Sequence, residues 1–302
     1  MSRILILGGS SFVGRHLAAR LGPQGALATY CHSPLELGVY FDALTMRLPE
    51  IITSPKDFSH AVVLLADTDP DSCAVDPQRS WRLNVESIQA ILDDLARWEI
   101  IPVFASSEFV FDGTKGDYTE DDLASPTLTY GKQKLTVEHE LQRRGGRYLI
   151  VRFAKIVGLK RGDGTLFTSW MEAIERGQTA LRCAADQVFS PIAVQDVVEA
   201  IVRLIAQGCT GLFHVAGPAA YSRVELLELL VARLRTSPER SLRELSQAMN
   251  IVPCSIRDFD LREPRPLNVS MKPDRLVAAT DIQLSCVEGL CDQLVGGVPV
   301  YP

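Results

Sequence analysis

The first fourteen residues constrain the fold most strongly. Arg3–Leu7 reads RILIL, a short apolar run with β-branched residues that suits a central parallel strand. The segment GGSSFVG (8–14) follows at once, and RHLAARL after it has the apolar spacing of a helix. A strand, a tight glycine turn and a helix in this order form a binding site for the pyrophosphate of a dinucleotide. The residues predicted to form this dinucleotide site are Gly8, Ser10, Ser11, Phe12, Val13 and Gly14.

The rest of the chain repeats the alternation of strand and helix. This pattern predicts a Rossmann-type α/β fold, a doubly wound parallel sheet with its ligand cleft at the carboxyl ends of the strands. The alternation breaks after Phe153, where a smaller and mostly helical region begins. We therefore expect a dinucleotide-binding domain over 1–158, to which segments near 186–216 return, and a mainly substrate-binding region over 159–302. The further strands are predicted at Ala26–Tyr30, Ala61–Ala66, Ile101–Ser106 and Tyr148–Phe153.

A serine, a tyrosine and a lysine are spaced for carbonyl chemistry. Ser107 follows the predicted strand Ile101–Ser106, and Tyr130 and Lys134 lie four residues apart on a predicted helix, so their side chains share one face. A nearby cation is expected to lower the pKa of the phenol towards neutrality. Ser107 could then donate a hydrogen bond to a carbonyl oxygen while Tyr130 gives it a proton. Such a reduction needs a hydride, which a nicotinamide dinucleotide supplies.

The segment around these residues resembles a known family. ASSEFVFDGTKGDYTEDDLASPTLTYGKQKLTVEHEL (105–141) is similar to the extended short-chain dehydrogenase/reductases, and within them to the dTDP-4-dehydrorhamnose reductase group. The shared elements are a Ser or Thr that ends a strand, VFDG, the Y-T-E-D-D-x-x-x-P segment and YGxxK. The resemblance is dense to about Arg152 and thin beyond it. It implies that Ser107, Tyr130 and Lys134 are catalytic and that Tyr130 and Lys134 also hold the cofactor.

The resemblance also implies how the cofactor is held. The family pattern GxxGxxG maps onto Gly8, Ser11 and Gly14, so a serine replaces the middle glycine. Asp42 takes the position near the adenine, and Leu65 and Ala66 end a strand beside the cleft. No acidic residue follows Ala26–Tyr30, where NAD-specific sites place one, and Arg15 is available for a 2′-phosphate. We therefore expect NADPH, with NADH as the alternative.

The substrate implied by the resemblance is a nucleotide-linked keto sugar. Glu108 and Phe109 follow the catalytic serine, Gln187 lies in a DQ-x-x-SP segment, and Arg265 lies in REPRPLNVSM, which resembles the RP-x-x-S element near the family's C-terminus. Relatives carry R-x-S-W-V-x-G after the sixth strand, whereas this chain has Lys155 in place of the tryptophan. A cation in place of a flat aromatic ring favours a charged substrate, such as a sugar diphosphate or a carboxylated sugar. The side chain could equally cross the cleft rim with its ammonium in solvent.

Three functions fit these residues. The first is NAD(P)H-dependent reduction of a keto group on a nucleotide-linked deoxy-sugar. The second is epimerisation of a sugar nucleotide on the same fold; dehydration is disfavoured because the dehydratase string Thr-Asp-Glu is here Ser107-Glu108-Phe109. The third is a non-catalytic, cofactor-binding regulatory subunit that resembles the β subunit of methionine adenosyltransferase.

The bulk composition narrows the partners. A formal net charge of −6 without a basic stripe argues against binding to nucleic acid. The seven cysteines show no CxxC spacing, so neither a disulfide framework nor a metal site is indicated. Glycines interrupt Met1–Leu21, so no signal peptide is expected, and no apolar run reaches the ~18 residues of a membrane span. We expect a cytoplasmic protein that contacts no membrane, with a homodimer as an option.

Overall fold

The computed structural model describes residues 2–296 and contains a seven-stranded parallel sheet. The strand order is β11-β6-β5-β4-β1-β2-β3, and β1 lies near the centre. This order confirms the predicted doubly wound Rossmann-type fold. The strands are β1 (Arg3–Leu7), β2 (Ala26–Tyr30), β3 (Val39–Tyr40), β4 (Phe58–Val63), β5 (Ile101–Ser107), β6 (Leu149–Phe153), β7 (Ile156–Val157), β8 (Ala180–Ala184), β9 (Val188–Phe189), β10 (Ile192–Ala193), β11 (Gly211–Val215), β12 (Tyr221–Ser222) and β13 (Asn250–Cys254).

Helices cover both faces of the sheet and form most of the remainder. The segment between α3 and α4 continues the helix as a short π-helix over Arg82–Glu86, and single 3₁₀ turns occur elsewhere, including Glu108–Val110 after β5. The helices are α1 (Phe12–Gly25), α2 (Pro70–Val75), α3 (Pro77–Trp81), α4 (Ser87–Arg97), α5 (Thr129–Arg144), α6 (Leu166–Glu175), α7 (Val194–Ala206), α8 (Arg223–Leu234), α9 (Arg240–Gln247), α10 (Asp274–Thr280) and α11 (Val287–Gly296).

Alternate residues of the central strands supply two buried cores. Ile4 and Ile6 of β1 belong to the core that α7 covers, while Leu5 and Leu7 belong to the core that α4 covers. This is the period-two alternation of a strand buried on both faces. A third core lies between α6, α8 and α11 and contains no strand of the main sheet. The main sheet and the C-terminal helices thus have separate hydrophobic interiors.

The fourth strand differs from its prediction. It was expected over 61–66 and lies at Phe58–Val63. The Leu64 N–H still donates to the Leu7 carbonyl at 2.8 Å, after which the chain leaves β1 and turns towards α2. Leu65 and Ala66 therefore follow the strand rather than end it. The late strand β11 pairs with β6 and completes the main sheet.

Candidate active site at the carboxyl ends of the strands

The glycine-rich turn between β1 and α1 has the close backbone packing that the sequence predicts. Gly8 has φ +89°, and a Cβ at Gly14 would lie only 2.4 Å from the Gly8 carbonyl oxygen. Ser11 has φ −66° and ψ 167°, so the middle position needs no glycine conformation. The Ser11 hydroxyl accepts the Gly14 N–H at 3.1 Å and caps α1. Serine is therefore compatible with the turn, and the first-turn N–H groups of Phe12 and Val13 remain available to an anion.

Of the other predicted cofactor residues, Leu65 lies beside this turn. A Cβ at Gly8 would be 3.2 Å from the Leu65 nitrogen, so the chain after β4 approaches the turn closely. Ala66 follows directly. The Phe12 ring packs edge-on to His16 at 5.0 Å. The Asp42 carboxylate accepts the Leu44 N–H at 3.0 Å. Ser10 and Val13 lie within the turn and the first helical turn.

Ser107, Tyr130 and Lys134 meet where β5 ends and α5 packs against it. The Tyr130 side chain is 6% exposed, and its hydroxyl lies near the Ser107 hydroxyl. Ser107 also accepts the Phe109 N–H at 3.2 Å. Lys134 donates from Nζ to the Ala105 carbonyl at 2.8 Å, and Nζ lies 5.7 Å from the centroid of the Tyr130 ring. The structure thus brings together all three residues that the sequence singled out.

Burial controls the protonation of this group. It raises the pKa of Tyr130 above the ordinary value of a phenol, and the nearby Ser107 hydroxyl offsets only part of that effect. Burial also lowers the pKa of Lys134 to about 8. The expectation that Lys134 brings the Tyr130 pKa towards neutrality is therefore wrong for this protein, because desolvation of the phenolate outweighs the cation. Tyr130 stays protonated at neutral pH, which is the state that a proton donor needs.

Glu108 and Lys155 form the next layer of the site. Glu108 is 4% exposed, and burial raises its pKa to about 8, with the Lys155 ammonium acting in the opposite direction. The Lys155 N–H donates to Glu108 Oε2 at 3.1 Å. The Lys155 side chain is solvent-accessible, although the protein crowded around it lowers its pKa, as does Arg223. Phe109 packs edge-on against Tyr130, with ring centroids 6.4 Å apart.

The remaining predicted substrate residues, Gln187 and Arg265, differ in the protein contacts of their side chains. Gln187 is buried and its Oε1 accepts from Arg223 Nη1 at 3.0 Å. Arg265 forms an ion pair with Asp71 at 2.9 Å, and its Nη1 donates to the Glu263 carbonyl at 3.1 Å. These contacts tie the segment that contains Arg265 to the start of α2. A substrate would have to share or displace the Asp71 contact to bind this guanidinium.

Two supporting groups were not found from the sequence. Gln133, on α5 between Tyr130 and Lys134, accepts from Asn84 Nδ2 at 2.7 Å and donates to Ser80 at 2.8 Å. Asn84 in turn binds the backbone of Asp67, as expected of a residue that fixes the turn after β4. The YGKQK segment contains the signal for Gln133, since a position three after Tyr130 shares its helix face.

Glu263 is the second missed group. Helix α5 has no side-chain cap of its own, and Glu263 accepts both the Thr129 N–H, at 3.0 Å, and the Thr129 hydroxyl, at 2.8 Å. The two residues are 134 positions apart, so no local pattern could reveal the contact. The C-terminal segment thus fixes the start of the helix that contains Tyr130.

Two further observations concern metals and membranes. Among residues 2–296, no three His, Cys, Asp or Glu side chains cluster in a way that could hold a metal ion. Within the same residues, every helix is too short or too polar to cross a membrane.

A parallel Rossmann-type sheet with a glycine turn and a Ser/Tyr/Lys group at its edge defines the class of dinucleotide-binding short-chain dehydrogenase/reductases. The family described as RmlD substrate binding domain matches residues 1–292, and the chain belongs to that family. This confirms the resemblance stated from the sequence.

Individual relatives are distant. A dTDP-4-dehydrorhamnose reductase of Aggregatibacter actinomycetemcomitans is 24% identical over 295 residues, covering 94% of this chain and 95% of the relative. A probable low-salt glycan biosynthesis reductase of Haloferax volcanii is 29% identical over 182 residues, and the match spans 58% of this chain and 59% of that relative. The methionine adenosyltransferase 2 subunit beta of Rattus norvegicus is 25% identical over 178 residues, covering 56% and 53%.

A solved structure has the same fold. The dTDP-4-dehydrorhamnose reductase of Bacillus anthracis, in complex with NADP, superposes with a TM-score of 0.76 at 20% identity, covering 97% of this chain and 99% of that one.

Proposed function

We propose that the protein reduces a keto group on a nucleotide-linked deoxy-sugar with NAD(P)H. The observation that carries the proposal is the meeting of Ser107, Tyr130 and Lys134 at the carboxyl end of β5, two strands from the glycine turn after β1. The relatives named as dTDP-4-dehydrorhamnose reductases support the same reaction and substrate class.

The chain is suited to hold a dinucleotide. Gly8 and Gly14 leave the backbone of the turn free of side chains, so that a pyrophosphate could bind at the N-terminus of α1. Tyr130 and Lys134 would bind the nicotinamide half, and Leu65 and Ala66 would line the cleft beside it. The bound cofactor supplies a hydride to the carbonyl carbon of the sugar.

The protein side of the reaction is general acid catalysis. Ser107 donates a hydrogen bond to the carbonyl oxygen, which strengthens as negative charge develops there. The protonated Tyr130 gives its proton to that oxygen, and the carbonyl becomes an alcohol. The Lys134 ammonium, close to the ring, stabilises the phenolate that remains until solvent returns the proton.

The regulatory-subunit alternative has a relative behind it, but the geometry favours catalysis. A pure binding role would not need a buried cation beside a buried phenol, since desolvating both groups lowers stability. Epimerisation remains an alternative on the same residues. In either reading, 1–158 would hold the cofactor and 159–302 mainly the substrate; a cytoplasmic location and a homodimer stay predictions.

Loss of NADPH absorbance with dTDP-4-dehydrorhamnose as the ketone tests the proposal. We expect turnover by the wild type and its loss in Tyr130→Phe. An epimerase would convert the sugar without net consumption of NADPH, and NMR would detect the conversion. If NADPH binds but no nucleotide sugar is either reduced or epimerised, the regulatory-subunit alternative replaces the reductase.

A further inference from the structure

One buried glutamine connects the helix of the catalytic group to the segment after β4. Gln133, on α5 between Tyr130 and Lys134, is 2% exposed, and its Oε1 accepts from Asn84 Nδ2 at 2.7 Å. Asn84 is buried as well. It accepts from the Asp67 N–H at 2.8 Å and donates to the Asp67 carbonyl at 3.0 Å. Two side chains therefore span the distance from α5 to the backbone of Asp67.

The orientation of both amides follows from the backbone. Asp67 presents an N–H and a carbonyl to Asn84, so the amide oxygen of Asn84 faces the first and its nitrogen faces the second. Asn84 then offers its other N–H to Gln133, which accepts it with its oxygen. Without that oxygen, the buried Asn84 N–H would be left with Cys73 Sγ, at 3.6 Å, which is a weak acceptor. The Gln133 side chain therefore helps to hold the Asn84 amide in place.

The segment that Asn84 holds borders the glycine-rich turn. Leu65 lies two residues before Asp67, and a Cβ at Gly8 would be 3.2 Å from the Leu65 nitrogen. A dinucleotide bound at the turn would therefore lie beside a segment whose position Asn84 fixes. The proposed acid, Tyr130, belongs to the helix at the other end of the same link.

The backbone at Asn84 is a second, independent observation. Asn84 lies at the centre of the π-helix Arg82–Glu86, between α3 and α4. Short π-helical turns are rare and occur frequently at functional sites. The helix thus departs from regular α-helical geometry at the residue that reaches Asp67, which indicates that the placement of Asn84 matters beyond helix stability.

The second hydrogen bond of the Gln133 amide leads to a different part of the fold. Its Nε2 donates to the Ser80 hydroxyl at 2.8 Å. The Ser80 hydroxyl lies 3.3 Å from the Cys73 carbonyl and 3.2 Å from the Pro77 carbonyl, so this bond joins α5 to α2 and α3. The two bonds of one side chain are similar in length and both are buried. One leads to the cofactor side of the site and the other to helix packing.

We propose that Gln133 is a positioning residue, which sets the separation between the cofactor and Tyr130 through its hydrogen bond to Asn84. The inference rests on the proposed function and extends it to the residues that space the reacting groups. The ketone has to lie within reach of the nicotinamide and of the phenol at once, and a displacement of about 1 Å can lower the rate by about 10²-fold. Gln133 acts through Asn84 and contacts neither the sugar nor the cofactor.

Two variants separate the two hydrogen bonds of Gln133. Gln133→Met removes both of them with a side chain of similar length, whereas Ser80→Ala removes the bond to α3 and keeps the bond to Asn84. The measurement is a single turnover of bound NADPH with dTDP-4-dehydrorhamnose. We expect Gln133→Met to react about 10²-fold more slowly and Ser80→Ala to stay within about twofold of the wild type. Urea unfolding should show a similar loss of stability in the two variants, because each leaves a buried polar group without its partner.

Further measurements separate positioning from a purely structural role. The dissociation constants of NADPH and of dTDP should be unchanged in Gln133→Met, so that the effect falls on the rate alone. An isotope effect with NADPH deuterated at the transferred hydrogen shows that the measured step is hydride transfer. Gln133→Glu keeps an oxygen for Asn84 and should retain most of the rate. If Gln133→Met does not fold, Asn84→Asp takes its place, because it keeps the acceptor for the Asp67 N–H and removes the donor to Gln133.

Each outcome decides the proposal. A wild-type rate in folded Gln133→Met, or an equal loss of rate in Gln133→Met and Ser80→Ala, would overturn the positioning role while the proposed function stands. A loss confined to the affinity for NADPH would make Gln133 a cofactor-binding residue and would also overturn it. If the wild type binds NADPH but reduces no ketone, the proposed function fails together with the positioning role.

Discussion

Two buried cations on neighbouring elements differ in whether a carboxylate neutralises them. Arg152 on β6 is 4% exposed and forms a two-point ion pair with Glu138, Nη2–Oε2 at 2.6 Å and Nε–Oε1 at 3.0 Å. Lys134 on α5 is 3% exposed and bonds only to the Ala105 carbonyl. Glu138 lies one helical turn after Lys134, yet it accepts hydrogen bonds from Arg152 and from the Ser106 hydroxyl.

Helix α5 thus contacts three successive residues of β5 with three different kinds of interaction. Tyr130 meets Ser107, Lys134 meets Ala105, and Glu138 meets Ser106. Glu138 neutralises Arg152, whereas no carboxylate among residues 2–296 lies within 4.0 Å of the Lys134 ammonium beside the phenol. Breaking a buried pair is strongly destabilising, whereas an unpaired buried charge is retained only where function needs it. We therefore propose that Glu138–Arg152 contributes to stability and Lys134–Tyr130 to chemistry.

The largest expected effect is on chemistry alone. Tyr130→Phe removes the proton donor and should lower the rate of reduction by about 10²–10⁴-fold. The free energy of unfolding should change by no more than about 1 kcal/mol, since only the polar contact of one hydroxyl with its surroundings is lost. Single-turnover oxidation of NADPH measures the rate, and urea unfolding measures the stability. A variant that reduces a competent ketone at near the wild-type rate would show that Tyr130 is not the acid.

The second prediction is the converse, stability without chemistry. Glu138→Gln leaves Arg152 buried without its counter-charge and should lower the free energy of unfolding by about 3–5 kcal/mol. Glu140→Gln is the control on the same helix, since Glu140 pairs with Arg143 and Arg144 near the surface and should cost about 1 kcal/mol or less. Urea unfolding of both variants decides it. A drop in turnover of folded Glu138→Gln as large as that of Tyr130→Phe would erase the distinction.

The parts of this arrangement that the sequence predicts are local. The glycine turn, the Ser107 strand end and the Tyr130–Lys134 face each depend on residues within one element, and all three are found where predicted. The Asp-Pro pairs at Asp69 and Asp76 cap α2 and α3. Aspartate followed by proline is a visible signal for a helix start.

The contacts that were missed join distant segments. Glu263 caps the helix of Tyr130, and Arg223 meets Gln187 at the end of the paired strands β9 and β12. The balance of burial against charge at Tyr130 is also non-local, because it depends on how completely α5 is covered. Neither spacing nor composition contains this information, whereas the packed structure does.

Glu108 is a buried residue next to Ser107, and it gives a prediction for the pH dependence of stability. Its pKa is about 8 in the fold and near its ordinary value in the unfolded chain, so the folded state binds more protons between about pH 5 and 8. The contribution of Glu108 to stability is therefore present at low pH and is lost as pH rises through that window. Glu108→Gln abolishes this dependence.

Urea unfolding at pH 5.5 and pH 8 measures the effect. Between these values the wild type should lose more than about 1 kcal/mol relative to Glu108→Gln, since one pKa unit corresponds to about 1.4 kcal/mol. His214 has a pKa of about 3 in the fold and changes stability in the opposite sense, but it is present in both proteins and is removed in the difference. Parallel pH profiles for the two proteins would mean that Glu108 is ionised in the fold.

The smallest expected effect concerns an exposed cation of the cofactor site. Arg15 lies in the first turn of α1, exposed to solvent, and β2 ends at Tyr30 without a following acidic residue. A 2′-phosphate near this arginine would gain about 1 kcal/mol in water-like surroundings, so NADPH should bind roughly fivefold more tightly than NADH. Arg15→Ala should make the affinities for NADPH and NADH equal. Arg20→Ala should not, although it also removes an exposed arginine of α1; Arg20 pairs with Glu199 of α7. Fluorescence quenching with both dinucleotides measures the ratio, and tighter binding of NADH by the wild type would reverse the assignment. Because Arg15 is exposed, unlike the buried Arg152, its loss should leave the free energy of unfolding nearly unchanged.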